Sequence, residues 1–290
     1  MAVRELRLRV SGLGVRCLAS GEGEPAALLL HGASLDCADL SFGHLIGTLS
    51  GRRRVYAPDW PGYGGSDRPR GASYDLGFYE RFLRRLLDEL GIARADLVGL
   101  SLGGGVALSL ALHRPRRVRR LVLVGSYGLG RRVPWGLLGV VLGRSGLAAR
   151  TAYGLVRRSR RALRLGLRNV VCDPAAIDDG LLEELARQAA LPGAGRAFLS
   201  FRRSEVRWRG LRSDLSGSLP RLEVPTLLVH GSRDRIVPVD WAVRAHRLIP
   251  RSELVVLEGC GHWVPRERPG EFIRAVERFL SCPDPAERPR

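Results

Sequence analysis

Hydrophobic positions along this chain alternate between two periods. Short strand-like segments, most of them continuously apolar as in strands covered on both faces, lie at residues 26–30, 54–57, 96–100, 119–124, 226–230 and 254–257. Between them, apolar residues recur at helical spacing, at residues 40–49, 74–90, 102–113, 239–248 and 269–280. This alternation predicts an α/β fold with a mostly parallel sheet and helices on both faces.

Three other stretches depart from that pattern. Residues 3–10 alternate apolar and charged side chains like an edge strand, and residues 15–19 are expected to pair with them in a hairpin. From residue 126 to about residue 217 the apolar segments have a helical period, so we interpret 126–216 as a helical insertion, or cap, between core segments 1–125 and 217–290. The polar, proline-rich residues 283–290 predict a disordered tail.

Composition narrows the class of protein. With 45% hydrophobic and 26% charged residues among 290, the chain is typical of a soluble globular protein. No apolar run reaches the roughly 20 residues of a membrane-spanning helix, and the N-terminus lacks the apolar stretch of a secretory signal, so we expect a cytoplasmic protein. Five scattered cysteines without a C-x-x-C pair predict neither a disulfide framework nor a zinc site.

The charge is the unusual feature of the composition. The net charge is +18, and every basic residue in that balance is an arginine. The part of the insertion between Ser126 and Cys172 contains no acidic residue. Its arginines and leucines fit either solvated helices above a site or helices that associate weakly with anionic membranes. No nucleic-acid motif accompanies the charge, so we expect no nucleic-acid partner; the oligomeric state stays open.

A glycine-flanked serine follows the strand at residues 96–100. In Gly-Leu-Ser-Leu-Gly, a G-x-S-x-G pattern, a strained turn between strand and helix pushes the Ser101 hydroxyl out of the sheet, and Gly99 and Gly103 relieve the crowding. His31 and Asp59 also follow predicted strands. Because the carboxyl ends of parallel strands meet at one edge, we expect Ser101, His31 and Asp59 at one rim.

A serine nucleophile needs a base and an orienting carboxylate, and two later residues occupy equivalent places after strands. Asp234 follows the strand at residues 226–230, and His262 follows the strand at residues 254–257. His230 is a rival base, although its closeness to Asp234 in the sequence fits a structural role better. No carboxylate follows the strand at residues 119–124, so that strand end offers no rival to Asp234.

These motifs resemble the α/β-hydrolase superfamily, in the branch with a serine nucleophile and a helical cap inserted after the sixth strand of an eight-stranded sheet. The resemblance rests on His-Gly-Ala-Ser at residues 31–34, the D-x-P-G-x-G-x-S-like loop at residues 59–67, and the Ser101, Asp234 and His262 motifs. It implies that Ser101 is the nucleophile, His262 the general acid and base, and Asp234 the orienting acid, without a metal or cofactor.

The resemblance also implies the surroundings of the triad. The backbone N–H groups of Ala33 and Leu102 are expected to hold the oxyanion. We predict that Ser34 and Trp263, which adjoin these motifs, contact the substrate. Asp59 is expected to fix its loop, and His31 to brace the oxyanion loop.

Several reactions fit such a triad. The main expectation is hydrolysis of a small-molecule carboxylic ester through an acyl-serine. An alternative is a carbon–carbon bond hydrolase of ring-fission dienoates, suggested by the Cys-Gly-His-Trp run at residues 260–263. Cofactor-free haloperoxidase or perhydrolase activity uses the same triad, and a membrane-associated binding scaffold is the non-enzymatic alternative. Serine at position 101 excludes the branches that use aspartate there, the haloalkane dehalogenases and epoxide hydrolases.

Overall fold

The computed structural model describes residues 2–132 and 145–282. Its strands are β1 Arg4–Val10, β2 Leu13–Ser20, β3 Ala27–Leu30, β4 Val55–Pro58, β5 Ala95–Leu100, β6 Val118–Val124, β7 Val206–Arg207, β8 Gly210–Leu211, β9 Thr226–Gly231 and β10 Ser252–Leu257. Its α-helices are α1 Ala38–Leu49, α2 Leu76–Glu89, α3 Leu102–His113, α4 Gly146–Arg158, α5 Arg160–Leu167, α6 Asp179–Ala190, α7 Arg196–Glu205, α8 Val239–Leu248, α9 Val264–Glu267 and α10 Pro269–Ser281. The predicted tail at 283–290 lies outside the described residues.

Eight strands of the described chain form one sheet, in the order β1-β2-β4-β3-β5-β6-β9-β10. Strand β2 runs antiparallel to both of its neighbours, and the remaining strand pairs are parallel. The predicted hairpin of β1 and β2 and the predicted mostly parallel sheet are therefore confirmed.

Two hydrophobic layers cover the faces of this sheet. Alternate residues of β3 point to opposite layers: Leu28 and Leu30 pack with α2 and α3, whereas Leu29 packs with α1 and α10. Strand β5 behaves in the same way, with Leu97 on the first face and Val98 on the second. The central strands read as unbroken apolar runs because both of their faces are buried.

The stretch between β6 and β9 departs in one respect from its helical prediction. Helices α4 to α7 lie there, as expected, but β7 and β8 add a short antiparallel ladder in which Val206 pairs with Leu211. Gly210 has a φ of +120°, a conformation that favours glycine, and permits the tight turn. Four ladder residues are too few to give a period in the sequence. The domain boundaries near residues 125 and 217 stay predictions.

Candidate active site

Ser101 occupies the turn between β5 and α3 in a strained backbone conformation. Its φ of +52° and ψ of −112° are rare for a residue with a side chain, and such a conformation costs about 1–3 kcal/mol. Backbone hydrogen bonds hold the turn in place. The Ser101 N–H donates to the Val124 carbonyl at 2.9 Å, and the Ser101 carbonyl accepts from the N–H groups of Gly105 and Tyr127, each at 3.0 Å.

The glycines around Ser101 are required by close backbone approaches. A Cβ on Gly99 would lie 2.5 Å from the backbone of Gly103, and a Cβ on Gly103 would collide with the Leu30 carbonyl at the end of β3. A Cβ on Gly104 would lie 2.5 Å from the Ser126 Oγ. The G-x-S-x-G pattern therefore reflects the packing of α3 directly on the sheet, which sets the direction of the Ser101 side chain.

Asp234 lies in the loop after β9, and its carboxylate is fully buried. Its Oδ1 accepts the N–H groups of Ile236 and Val237, both at 2.8 Å, which leaves Oδ2 for His262. Burial alone raises the pKa of Asp234, but the charge of His262 and hydrogen bonds from His230 and His262 outweigh it and hold that pKa below its ordinary range. Asp234 is therefore an anion at neutral pH.

His262 lies in the loop after β10 and contacts Asp234 directly. Its Nδ1 is 2.7 Å from the Asp234 Oδ2. A carboxylate accepts only, so Nδ1 carries the proton, and in the neutral imidazole the lone pair lies on Nε2. Within the described residues no hydrogen bond joins this Nε2 to the Ser101 Oγ. Such bonds are often long before substrate binds.

The rival base His230 has a different role. Its Nε2 lies 2.9 Å from the Val237 carbonyl and 3.3 Å from the Asp234 Oδ2. Since a carbonyl accepts only, this Nε2 is a donor and is not available as a base. His230 thus braces the loop that carries Asp234, as its closeness in the sequence indicated.

The oxyanion loop is held by two buried side chains. The Trp60 backbone N–H donates to the His31 Nε2 at 3.0 Å, so the His31 Nδ1 carries the proton and donates to the Gly32 carbonyl at 2.8 Å. The buried Asp36 carboxylate accepts the Gly32 N–H at 2.7 Å and the Ser41 hydroxyl. Burial raises the pKa of Asp36, against the lowering effect of His31 and these hydrogen bonds.

These contacts do not use the N–H group of either predicted oxyanion donor. The Gly32 N–H is taken by Asp36, which makes Ala33 the next donor of the loop. Leu102 is the first residue of α3, so its N–H has no acceptor within the helix. A Cβ on Gly32 would lie 3.6 Å from the Ser101 Cβ, so the loop adjoins the serine. The oxyanion roles of Ala33 and Leu102 stay predictions.

The two predicted substrate contacts lie in different surroundings. Ser34 is exposed, has a φ of +74°, and lines a cavity of about 10 Å³, room for one water molecule, where Tyr153 and Gln188 of the 126–216 insertion meet the oxyanion loop. Trp263 is buried, and its indole N–H donates to the Ser41 hydroxyl at 2.9 Å. Both substrate contacts stay predictions.

Sequence reasoning missed three residues at this site: Asp36, Gly125 and Glu267. Asp36 and Glu267 are acidic residues without a motif, and their burial was the missing information. Gly125 has no functional group that could indicate a role from the sequence. Asp59 is placed as expected, since its buried Oδ1 accepts the Ala38 N–H at 2.9 Å and its Oδ2 accepts the Gly65 N–H at 2.8 Å.

No group of three or more His, Cys, Asp or Glu side chains within the described residues could hold a metal ion. In the same part of the chain, every helix is too short or too polar to cross a membrane.

Known proteins resemble this chain in both fold and sequence. The 2-hydroxy-6-oxo-2,4-heptadienoate hydrolase of Pseudomonas putida strain F1 is 34% identical over 266 residues, which are 91% of each chain. The meta-cleavage product hydrolase of Pseudomonas fluorescens IP01 superposes with a TM-score of 0.81 at 29% identity, covering 95% of this chain and 97% of that one. A bacterial membrane phospholipase A superposes with a TM-score of 0.78 at 28% identity, covering 96% of this chain and 86% of that one.

Residues 27–275, which span the sheet from β3 to β10 and the site described above, match the model of the alpha/beta hydrolase family. This chain therefore belongs to the alpha/beta hydrolase family.

Proposed function

We propose that this hydrolase cleaves a carbon–carbon bond in a 2-hydroxy-6-oxo-2,4-dienoate, the compound class in the name of its heptadienoate hydrolase relative. The observation that carries the proposal is the pair of His262 and Asp234 beside the strained Ser101 turn, in a chain alike to that relative over 91% of its length. The proposed reaction is therefore the carbon–carbon bond hydrolysis that the Cys-Gly-His-Trp run suggested as an alternative, and not the ester hydrolysis expected first.

Cleavage of a 2-hydroxy-6-oxo-dienoate needs a nucleophile and a base. The 2-hydroxyl of such a dienoate is an enol, and moving its proton to C5 gives a 2,6-dioxo tautomer. Attack on the C6 carbonyl then allows the C5–C6 bond to break, its electron pair passing into the conjugated C2 carbonyl. One water is consumed, and the products are a carboxylic acid and a 2-hydroxydienoate.

The residues have distinct roles in this proposal. Ser101 attacks C6, and the Nε2 of His262 takes its proton and later activates water. The N–H groups of Ala33 and Leu102 stabilise the negative charge on the C6 oxygen, where the loss of one donor costs about 10²–10³ in rate. Asp234 holds the imidazole in the tautomer that presents a lone pair.

Ester hydrolysis, the main expectation from the sequence, is the second candidate. The same serine and base attack an ester carbonyl, and the structural likeness to the membrane phospholipase A supports an ester substrate. The two reactions differ in their leaving group: a carbon for the dienoate and an oxygen for the ester. Haloperoxidase and perhydrolase activity stay predictions.

A side-by-side kinetic measurement separates the two candidates. We expect kcat/KM for a 2-hydroxy-6-oxo-dienoate, followed by its absorbance, to exceed kcat/KM for p-nitrophenyl acetate by at least about tenfold. Ser101→Ala should lower both by at least about 10³-fold. The matched control is Ser73→Ala, at an exposed serine of the loop before α2.

Each outcome decides one point. Higher kcat/KM for the ester replaces the main proposal with the second candidate. Full activity of Ser101→Ala on both substrates overturns the assignment of the nucleophile.

A further inference from the structure

Residues 168–173, here called the bridging segment, connect the helical insertion to both loops of the acid–base pair. The segment follows α5 directly. The Arg168 carbonyl accepts from the Arg235 guanidinium at 3.2 Å, in the loop of Asp234. The Val170 carbonyl accepts the His262 N–H at 2.7 Å and the Trp263 N–H at 3.3 Å. The backbone of the base is thus hydrogen-bonded to the insertion.

Glu267 of α9 holds the same segment and the His262 loop through its carboxylate. Its side chain is buried, with 6% exposed. Its Oε1 accepts the Gly261 N–H at 2.9 Å, and its Oε2 accepts the N–H groups of Cys172 at 2.8 Å and Asp173 at 3.0 Å. One carboxylate therefore joins the residue before His262 to two residues of the bridging segment.

Gly261 is packed too closely against Glu267 and the bridging segment to carry a side chain. A Cβ on Gly261 would lie 2.7 Å from both the Glu267 Oε1 and the Val170 carbonyl, and 3.0 Å from the Cys172 nitrogen. A second contact lies further out, where the Arg268 guanidinium is 3.2 Å from the Asp173 carboxylate. The His262 loop, α9 and the bridging segment consequently form one hydrogen-bonded unit.

We infer that Glu267 is a positioning residue for His262, and that it acts through the bridging segment to fix the base relative to Ser101 and the insertion. Three backbone N–H donors converge on a group that only accepts. A glutamine at position 267 has one acceptor oxygen and one NH₂ group. The NH₂ group would face at least one of the three N–H donors, which then has no acceptor. The loop of His262 then loses a hydrogen bond at the point where it meets the insertion.

This inference rests on the proposed serine chemistry but not on the identity of the substrate, so its test uses a fluorophosphonate probe. The Ser101 Oγ forms a bond to phosphorus, the P–F bond breaks with release of fluoride, and His262 takes the hydroxyl proton. The labelling rate thus reports how well the base is placed. Ser101→Ala should abolish labelling.

We expect Glu267→Gln to lower the labelling rate and kcat at least about tenfold, with KM within about threefold of wild type. Arg268→Gln removes the outer contact to Asp173, together with a hydrogen bond to the Glu267 carbonyl and an ion pair with Glu271, and should lower both rates about two- to threefold. The control is Glu277→Gln, on a partly exposed glutamate of α10, which should match wild type. Circular dichroism measures the folded fraction of each variant.

Three results overturn the inference. One is wild-type labelling and kcat in folded Glu267→Gln. Another is a loss of labelling rate and kcat that a reduced folded fraction fully explains in both Glu267→Gln and Arg268→Gln. A third is a change in KM alone, with labelling rate and kcat at wild-type values. Labelling that persists in Ser101→Ala contradicts the proposed nucleophile instead, so the two failures are distinguishable.

Discussion

Gly125 has no functional group, yet it lies against the proposed acid–base pair. It follows β6, has a φ of +46°, and donates its N–H to the Val229 carbonyl at 3.0 Å. A Cβ at this position would lie 3.2 Å from the His262 Nδ1 and 3.3 Å from the Asp234 Oδ2. Both side chains would have to yield by a few tenths of an ångström, and the backbone would be strained as well.

We therefore expect Gly125→Ala to lower kcat about tenfold, because it displaces the imidazole, while KM changes little. The left-handed conformation should also lower stability by about 1–2 kcal/mol. The control is Gly47→Ala in α1, where a Cβ meets nothing within 4 Å. Steady-state kinetics and thermal unfolding check both variants; an unchanged kcat would show that the pair tolerates the methyl group.

Helix α10 is anchored to the sheet by a buried ionic cluster at the amino end of β5. The Asp96 carboxylate, fully buried, lies 2.5 Å from the Arg53 guanidinium and 2.6 Å from the Arg119 guanidinium. Both arginines also donate to the Leu280 carbonyl at 3.2 Å, near the end of α10. Asp96 lies in β5, Arg119 lies in β6, and Arg53 lies just before β4. The cluster therefore links these three neighbouring parts of the chain to α10.

Removal of the carboxylate leaves two guanidinium groups unpaired in the interior. We expect Asp96→Ala to lower the free energy of unfolding by about 3–5 kcal/mol. Asp88→Ala is the control, because its ion pair with Arg117 is exposed and such pairs contribute about 0–1 kcal/mol. Denaturant unfolding measures the free energy of unfolding of both variants. Asp96→Asn, which removes only the charge, is the milder substitution. Equal losses at the two positions would contradict the importance of burial.

The charge of the whole molecule acts over longer distances than any of these contacts. The net charge is +18, and α4 and α5 expose arginines together with Leu155 and Leu165, which are 61% and 64% exposed. Exposed leucines among arginines suit the interface of an anionic membrane. We propose a weak association of this surface with such membranes, separate from the hydrolase activity.

Binding to vesicles rich in phosphatidylglycerol is expected at about 10 mM salt and should be lost by about 0.3 M, since the screening length falls from about 30 Å to below 10 Å. Phosphatidylcholine vesicles are the neutral control. Replacing Leu155 and Leu165 by serine should weaken binding if the leucines insert. Sedimentation with vesicles measures each case, and no binding at low salt would show that the arginines are a solvated surface.

Much of this architecture was predictable because its signals are local. The apolar runs of β3, β5, β6 and β9 follow from burial on both faces, and helical periods follow from one buried face. Ser101, Asp234 and His262 each follow a predicted strand, here β5, β9 and β10, so their equivalent places were readable from the sequence, since parallel strands end at one edge. The small hairpin of β7 and β8 was missed because two paired residues on each side leave no period.

The sequence by itself determined the alternation of elements, the strained serine turn and the order of the serine, acid and histidine, all of which are written in short-range patterns. Only the tertiary structure decided which acids are buried and what they hold: Asp36 at the oxyanion loop, Asp96 under α10, and Glu267 at the bridging segment. The arginine partners of Asp96 lie 43 and 23 residues away, and two of the three donors to Glu267 lie 95 and 94 residues away. Even the nearby contacts of Asp36 need the fold of its loop. Such contacts leave no period in the chain, because they depend on how separate elements pack together.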